Sequence, residues 1–115
     1  MNKIRLVVNN ESKRNEKEKF FIKKELQSIL NLYAKMVSNG SWKDYSFTSG
    51  IKEVSFDVYQ RASEKPVLRI LKNLKPKYFN EKYLIKDKNG AILKKSENLN
   101  QLISKTSWNK LKLVK

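Results

Sequence analysis

The sequence predicts a single α+β domain: an antiparallel sheet of four to five strands with a long N-terminal helix on one face and a short C-terminal helix. Three observations lead to this class. An early segment has apolar residues at helical spacing, several later segments alternate with the period of a strand, and a short helical pattern comes near the end. At 115 residues the chain is long enough to bury one core.

Residues 1–19 are predicted to form a flexible polar N-terminal tail, and residues 20–115 the domain. Residues 9–19 carry four basic and three acidic side chains and show no apolar period. The apolar stretch from Leu6 to Val8 is too short for a signal peptide, and no segment approaches the length of a membrane span. Cysteine is absent, which excludes disulfides. We therefore expect a cytoplasmic protein with no integral membrane association.

The long helix is predicted over residues 22–37, where seven apolar residues follow a helical period. These residues are Ile22, Leu26, Ile29, Leu30, Tyr33, Met36 and Val37. The pair Asn39-Gly40 supplies a left-handed C-terminal stop. Trp42 follows at once, and we expect it to fold back onto the last turn as part of the core rather than to stack on a ligand.

Five strands are predicted after the helix, over residues 45–48, 54–58, 67–74, 83–88 and 91–95. Asn89-Gly90, between the last two, is the strongest hairpin signal in the chain. A short helix is predicted to begin at Asn98, with Gln101 completing an imperfect capping box. From Trp108 to Val114 the pattern favours a last short strand over a helical extension.

Adjacent apolar residues within strands predict that both faces of the sheet carry apolar side chains, because neighbours on a strand point to opposite faces. One long helix covers only one face. The second face therefore requires the C-terminal helix or a second copy of the protein. This leads to an alternative function, a protein–protein interaction module or homodimer with an exposed apolar face. The residues expected on that face are Tyr59, Leu71, Leu84 and Leu93.

Positive charge is concentrated in the second half of the chain. Residues 65–115 hold fourteen basic and three acidic side chains, so they carry +11 of the total +15. A field of this size attracts polyanions, and nucleic acid is the first partner to consider. The alternative is codon bias, because 22 lysines and 12 asparagines are typical of an AT-rich genome. Codon bias should enrich glutamate as well, and glutamate is scarce after Glu64.

The favoured function is non-catalytic binding of nucleic acid, as RNA or single strands, through a basic surface in residues 65–95. Lysines on two strand pairs and their loops would follow a phosphate backbone, and two loop aromatics would stack on unpaired bases. The alternative for the aromatics is that they anchor the loop on the core. The predicted binding residues are Arg69, Lys72, Lys75, Lys77, Lys82, Lys86, Lys94, Lys95, Tyr78 and Phe79.

No group of residues indicates an enzyme. Histidine and cysteine are both absent, which removes the commonest general base and most zinc chemistry. Asp57, Glu64 and Lys65 come nearest to a catalytic group, but the simpler interpretation is that Arg61 pairs with Glu64 or Asp57 to hold a bend. The three glycines are scattered and form no phosphate-binding loop. We expect no catalysis, no cofactor and no metal.

Three segments taken together resemble a known family. They are residues 32–37 leading to 40–45, residues 56–64 leading across Pro66 to 68–70, and residues 90–94 leading to Asn98-Leu99. In this order they resemble a family of short alphaproteobacterial proteins known only as a domain of unknown function. Asn98 stands where that family usually has aspartate, a change that keeps the capping ability. The resemblance spans about Phe21 to Val114 and implies a stand-alone cytoplasmic domain, without an activity or a site.

Overall fold

The computed structural model describes residues 18–61 and 65–108. Five strands form one antiparallel sheet in the order β1-β2-β3-β4-β5. This confirms the predicted α+β class, with a long N-terminal helix and a short C-terminal one. The elements in chain order are α1 (Lys23–Ser38), β1 (Asp44–Ser49), β2 (Glu53–Tyr59), β3 (Leu68–Asn73), β4 (Tyr83–Asp87), β5 (Ile92–Ser96) and α2 (Leu99–Lys105). A short 3-10 helix, Phe79–Glu81, lies in the loop between β3 and β4.

Two sequence predictions fall mainly outside the described residues. The predicted tail over residues 1–19 enters the described part only at residues 18 and 19, and the predicted last strand only at Trp108. Within the part of the chain that is described, no helix is long and apolar enough to cross a membrane.

Helix α1 forms where its apolar period predicts it. Ile29 and Met36 are buried along one side, and Gly40 takes a positive φ of 83° directly after the last turn. At the other end, the Glu25 side chain accepts a hydrogen bond from the Ile22 N–H at 2.8 Å. Because isoleucine has no side-chain acceptor, only this half of a capping box exists. Trp42 is 6% exposed, which confirms its predicted place in the core.

The core lies between the helices and one face of the sheet, which we call the helix face. Val54, Phe56 and Val58 of β2 point to this face, together with Ile70 of β3 and Ile85 of β4. The same cluster includes Ile29 and Leu32 of α1 and Leu99 and Leu102 of α2. Both helices therefore serve the same face.

The opposite side of the sheet, the second face, differs from the expected exposed apolar surface. Leu71 and Leu84 are paired there across β3 and β4, and they are only 2% and 6% exposed. Tyr59 is half-buried, and Leu93 is 38% exposed. Two of the four residues predicted to be exposed are therefore buried within the single chain, because Leu71 and Leu84 have little contact with solvent. The homodimer alternative itself stays a prediction.

The β4–β5 hairpin and the start of α2 follow their sequence signals. Gly90 has a φ of 86°, and the Asp87 carboxylate accepts hydrogen bonds from the backbone N–H groups of Asn89 and Ala91, both at 2.9 Å. Asn98 caps α2, because its side-chain oxygen accepts the Gln101 N–H at 3.0 Å. These turns position the basic residues of β4 and β5.

Candidate nucleic-acid interface

The ten predicted binding residues lie in three places rather than in one stripe. Five are in the β3–β4 loop and its exit: Lys75, Lys77, Tyr78, Phe79 and Lys82. Three are on the second face of the sheet: Arg69, Lys86 and Lys95. Two are on the helix face: Lys72, opposite Val54, and Lys94, opposite Ile85.

Lys72 is a correction to the predicted surface. Its side chain is fully buried, because the strand period places it on the helix face with Ile70. Its Nζ lies 2.8 Å from Glu25 Oε1 and 2.5 Å from Glu18 Oε1, and it donates to the Phe20 carbonyl at 3.1 Å. Two carboxylates thus compensate this cation inside the protein, and it has no exposed surface to offer a ligand.

Tyr83 completes the polar network around Lys72. Its hydroxyl donates a hydrogen bond to the second oxygen of Glu25. Burial, and then the contact with Glu25, raises the pKa of Tyr83 far above its ordinary value, so the phenol stays a neutral donor. The Lys72–Glu25–Tyr83 network therefore joins α1 to strands β3 and β4 and belongs to the core.

The β3–β4 loop presents its aromatic rings to solvent. Phe79 is 80% exposed and Tyr78 is 58% exposed, so neither ring anchors the loop on the core. Lys77 Nζ lies 5.9 Å from the centroid of the Tyr78 ring, and Lys75 is exposed two residues before it. The loop thus combines two accessible π-faces with ammonium groups.

The β1–β2 turn lies beside the start of this loop. The Leu74 N–H donates to the Lys52 carbonyl at 2.8 Å, and the preceding Ile51 is 87% exposed. Sequence reasoning missed this neighbour, although an isoleucine directly after Gly50 in a turn was a visible signal. We call the exposed set formed by Ile51, Lys52, Lys75, Lys77, Tyr78 and Phe79 the loop surface.

A groove of about 590 Å³ lies between the β3–β4 loop and the start of α2. The groove has a size typical of small-ligand sites. Carboxamides both donate and accept hydrogen bonds, as the edges of nucleobases do. Asn98 and Gln101 were interpreted from the sequence only as helix-capping residues, so the groove was not predicted. Its lining includes Asn73, Phe79, Lys82, Asn98 and Gln101, together with the acidic residues Glu18 and Glu97.

Among the described residues, no group of three or more histidine, cysteine or acidic side chains is placed to hold a metal ion. Of the nearest catalytic candidates, Glu64 lies outside the described residues. Asp57 is 1% exposed, and its carboxylate lies 3.5 Å from Arg69 Nε. Asp57 thus forms an ion pair with Arg69 on the neighbouring strand, a partner that the sequence analysis did not name. The pairing of Arg61 with Glu64 or Asp57 stays a prediction.

A family model described as "Protein of unknown function (DUF2794)" matches residues 19–103. The match covers more than half of the chain, so the chain belongs to this family, and the membership expected from the three segments is confirmed. No curated protein and no solved structure matches the chain. The geometry of the described residues is therefore the ground on which a function can be argued.

Proposed function

We propose that this member of a family of unknown function is a non-catalytic cytoplasmic protein that binds nucleic acid, as RNA or single strands, through basic residues in the range 65–95. The observation that carries the proposal is the exposure of Phe79 and Tyr78, 80% and 58%, in a loop that also carries Lys75 and Lys77. The bases of a single strand meet the rings, and its phosphates meet the ammonium groups.

Exposed aromatic rings favour unpaired bases over a duplex. In a double helix the base faces already stack on one another, whereas a single strand leaves them open to protein side chains. Each base stacked on an aromatic ring contributes about 1–3 kcal/mol, largely independent of sequence. The lysines add attraction to phosphate, which carries no sequence information. We therefore expect weak sequence preference and a strong dependence on salt.

The groove beside Phe79 supports the same function. The groove is also lined by Glu18 and Glu97, whose carboxylates repel phosphate, so it suits a base and not the backbone of the strand. A base that stacks on the Phe79 ring lies next to the carboxamides of Asn98 and Gln101 and the ammonium group of Lys82. These groups donate to ring nitrogens and carbonyl oxygens on base edges, and the carboxamide oxygens accept from amino groups. This arrangement takes a base edge without requiring one particular base.

The test is fluorescence anisotropy with labelled single-stranded RNA and DNA of about twelve nucleotides, at several salt concentrations. We expect salt-sensitive binding by the wild-type protein, and an affinity loss of roughly tenfold or more in the double variant Tyr78→Ala/Phe79→Ala, because two stacked bases are lost. The matched control is Leu30→Ala, an exposed apolar side chain of α1, which should bind as wild type does.

Two results would overturn the proposal. One is wild-type protein without salt-sensitive affinity for either RNA or DNA. The other is a loop variant that binds single strands as well as the Leu30→Ala control does. Tighter binding to a duplex than to the single strand would also contradict stacking on Tyr78 and Phe79.

A further inference from the structure

A row of charged side chains crosses the second face of the sheet, away from the loop surface. Asp57 of β2 lies opposite Arg69 of β3, and Arg69 lies opposite Lys86 of β4. Directly opposite residues on one face have Cβ atoms about 4.5–5.5 Å apart, and like charges in such a pair repel. The Arg69–Lys86 pair therefore holds two positive charges together at the middle of the sheet.

The carboxylate behind this pair is held in place. Asp57 is 1% exposed, and its oxygens accept hydrogen bonds from the Thr48 hydroxyl at 2.6 Å and the Ser55 hydroxyl at 2.7 Å. Arg69 contacts it through Nε, at 3.5 Å. The Arg69 side chain is 46% exposed, so the guanidinium has contact with solvent as well as with Asp57.

Among the described residues this row has two cations, Arg69 and Lys86, and one carboxylate, Asp57, which is paired with Arg69. A third cation lies in the next row, where Lys95 is opposite Leu84 and 47% exposed. The Glu81 carboxylate lies 3.8 Å from Lys95, but both side chains are substantially exposed, so that contact is weak. The row of Asp57, Arg69 and Lys86 thus carries one net positive charge. The register also places the acidic residues Asp44 and Glu53 on the second face, outside this row.

We propose that Arg69 and Lys86 form a seat for one phosphodiester group of a nucleic-acid strand, with Asp57 as the residue that positions Arg69. A guanidinium presents planar paired donors that match two phosphate oxygens, and the adjacent ammonium supplies a second charge-assisted contact. A bound phosphate also removes the repulsion within the pair. The identity of the ligand rests on the proposed function, whereas the seat itself rests on the geometry of the second face.

Three variants test the seat with single-stranded RNA. Lys86→Gln should lower the slope of log affinity against log salt by about 0.7, the value for one phosphate contact on a single strand. Arg69→Lys keeps the charge but loses the planar fork, and should weaken binding roughly fivefold. The control Lys24→Gln removes the same charge from an exposed position on α1, and should change affinity less than twofold.

The variant Asp57→Asn distinguishes the role of Asp57 in positioning Arg69 from its effect on the net charge of the protein. The variant makes the protein more positive, so general attraction to a polyanion predicts tighter binding. If the seat depends on Asp57, we expect Asp57→Asn to bind single-stranded RNA more weakly and with a smaller salt slope than wild type. Thermal unfolding of the same sample establishes that the variant is folded. If it is not folded, Arg69→Lys decides the question, because that side chain is nearly half exposed.

A second probe distinguishes the seat from the loop surface. An oligonucleotide of the same length with abasic sugars keeps the phosphates and has nothing to stack, so seat variants should weaken its binding and the Tyr78→Ala/Phe79→Ala variant should not. If wild type binds neither oligonucleotide, the proposed function fails and the seat with it. If only the loop variant loses affinity for the normal oligonucleotide, while Lys86→Gln and Arg69→Lys bind as the control does, the seat alone is wrong.

Discussion

Lys72 and Arg69 lie three residues apart on strand β3, so their side chains point to opposite faces of the sheet and lie in different environments. Lys72 points to the helix face, where Glu25 and Glu18 lie within 2.8 Å of its ammonium group. Arg69 points to the second face, where the Asp57 carboxylate lies 3.5 Å from its Nε and Lys86 lies on the opposite neighbouring strand. The first cation is buried beside two carboxylates, and the second is half-exposed, with one carboxylate on one side and a second cation on the other.

This difference shows that the number of basic residues in a segment does not measure the charge offered to a ligand. Removing an ammonium group from water costs several kcal/mol, which carboxylates and hydrogen bonds must offset at close range. Lys72 meets that condition, so its positive charge is used within the protein. The cations of the second face and the loop surface keep their contact with water and remain available to phosphate.

The largest expected effect comes from removing the buried cation. Lys72→Met leaves Glu25 buried without its ammonium partner, and we expect the free energy of unfolding to fall by about 3–5 kcal/mol. The matched change on the second face is Lys86→Met, which removes a cation opposite Arg69 and should alter stability by less than about 0.5 kcal/mol. Urea unfolding measures both. Equal losses of unfolding free energy in Lys72→Met and Lys86→Met would contradict the proposed difference between the two faces.

A variant that replaces the whole buried network tests whether the cost of Lys72→Met comes from an unpaired buried charge. In the triple variant Lys72→Met/Glu25→Leu/Tyr83→Phe, apolar groups of similar size replace all three side chains of the network, so no charge of the network remains buried. The Ile22 N–H, the Phe20 carbonyl and the half-exposed Glu18 carboxylate lose one contact each. We expect the triple variant to be more stable than Lys72→Met alone by about 2 kcal/mol or more, because an unpaired buried charge costs more than its absence. Additive losses from the three changes would show that the groups do not act as a unit.

The next effect depends on pH. Tyr83→Phe leaves a Glu25 oxygen without its donor and should cost about 1–2 kcal/mol at pH 7. Because the pKa of Tyr83 is raised in the folded state above its ordinary value of 10.0, the unfolded chain releases that proton first. The stability that Tyr83 contributes is therefore complete below pH 10 and declines above it, by about 1.4 kcal/mol per pH unit. Urea midpoints of wild type and variant should converge between pH 10 and 11; a constant difference would contradict the raised pKa.

Much of the fold was open to prediction because local patterns and tertiary packing agree. The period of residues 22–37, the turn at Asn89-Gly90 and the cap at Asn98 each correspond to an observed element. Lys72 was treated as a surface lysine although the alternation of β3 places it on the face of Leu68 and Ile70. The sequence did not show which anion compensates Lys72, because Glu25 lies 47 positions earlier and comes into contact with it only when α1 packs on the sheet.

The binding residues were less predictable than the elements that carry them. The sequence selected Tyr78 and Phe79 but left open whether the rings pack on the core. Their exposure depends on how the β3–β4 loop leaves the sheet, and no local pattern determines that. The same holds for Asp57, whose two hydroxyl partners come from two different strands. Contacts between strands depend on register, which is a property of the whole sheet.

The smallest expected change in stability concerns the loop surface. Phe79→Ala removes a ring that is 80% exposed, so little apolar area returns to water on unfolding, and the free energy of unfolding should change by less than about 0.5 kcal/mol. Phe56→Ala supplies the matched contrast, because that ring is fully buried and its loss should cost about 3–5 kcal/mol. A loss above about 1.5 kcal/mol for Phe79→Ala, measured by urea unfolding, would mean that the ring supports the fold. In that case Phe79 would not be free to stack on a base, and the affinity lost in the loop variant would reflect a damaged loop rather than a missing contact.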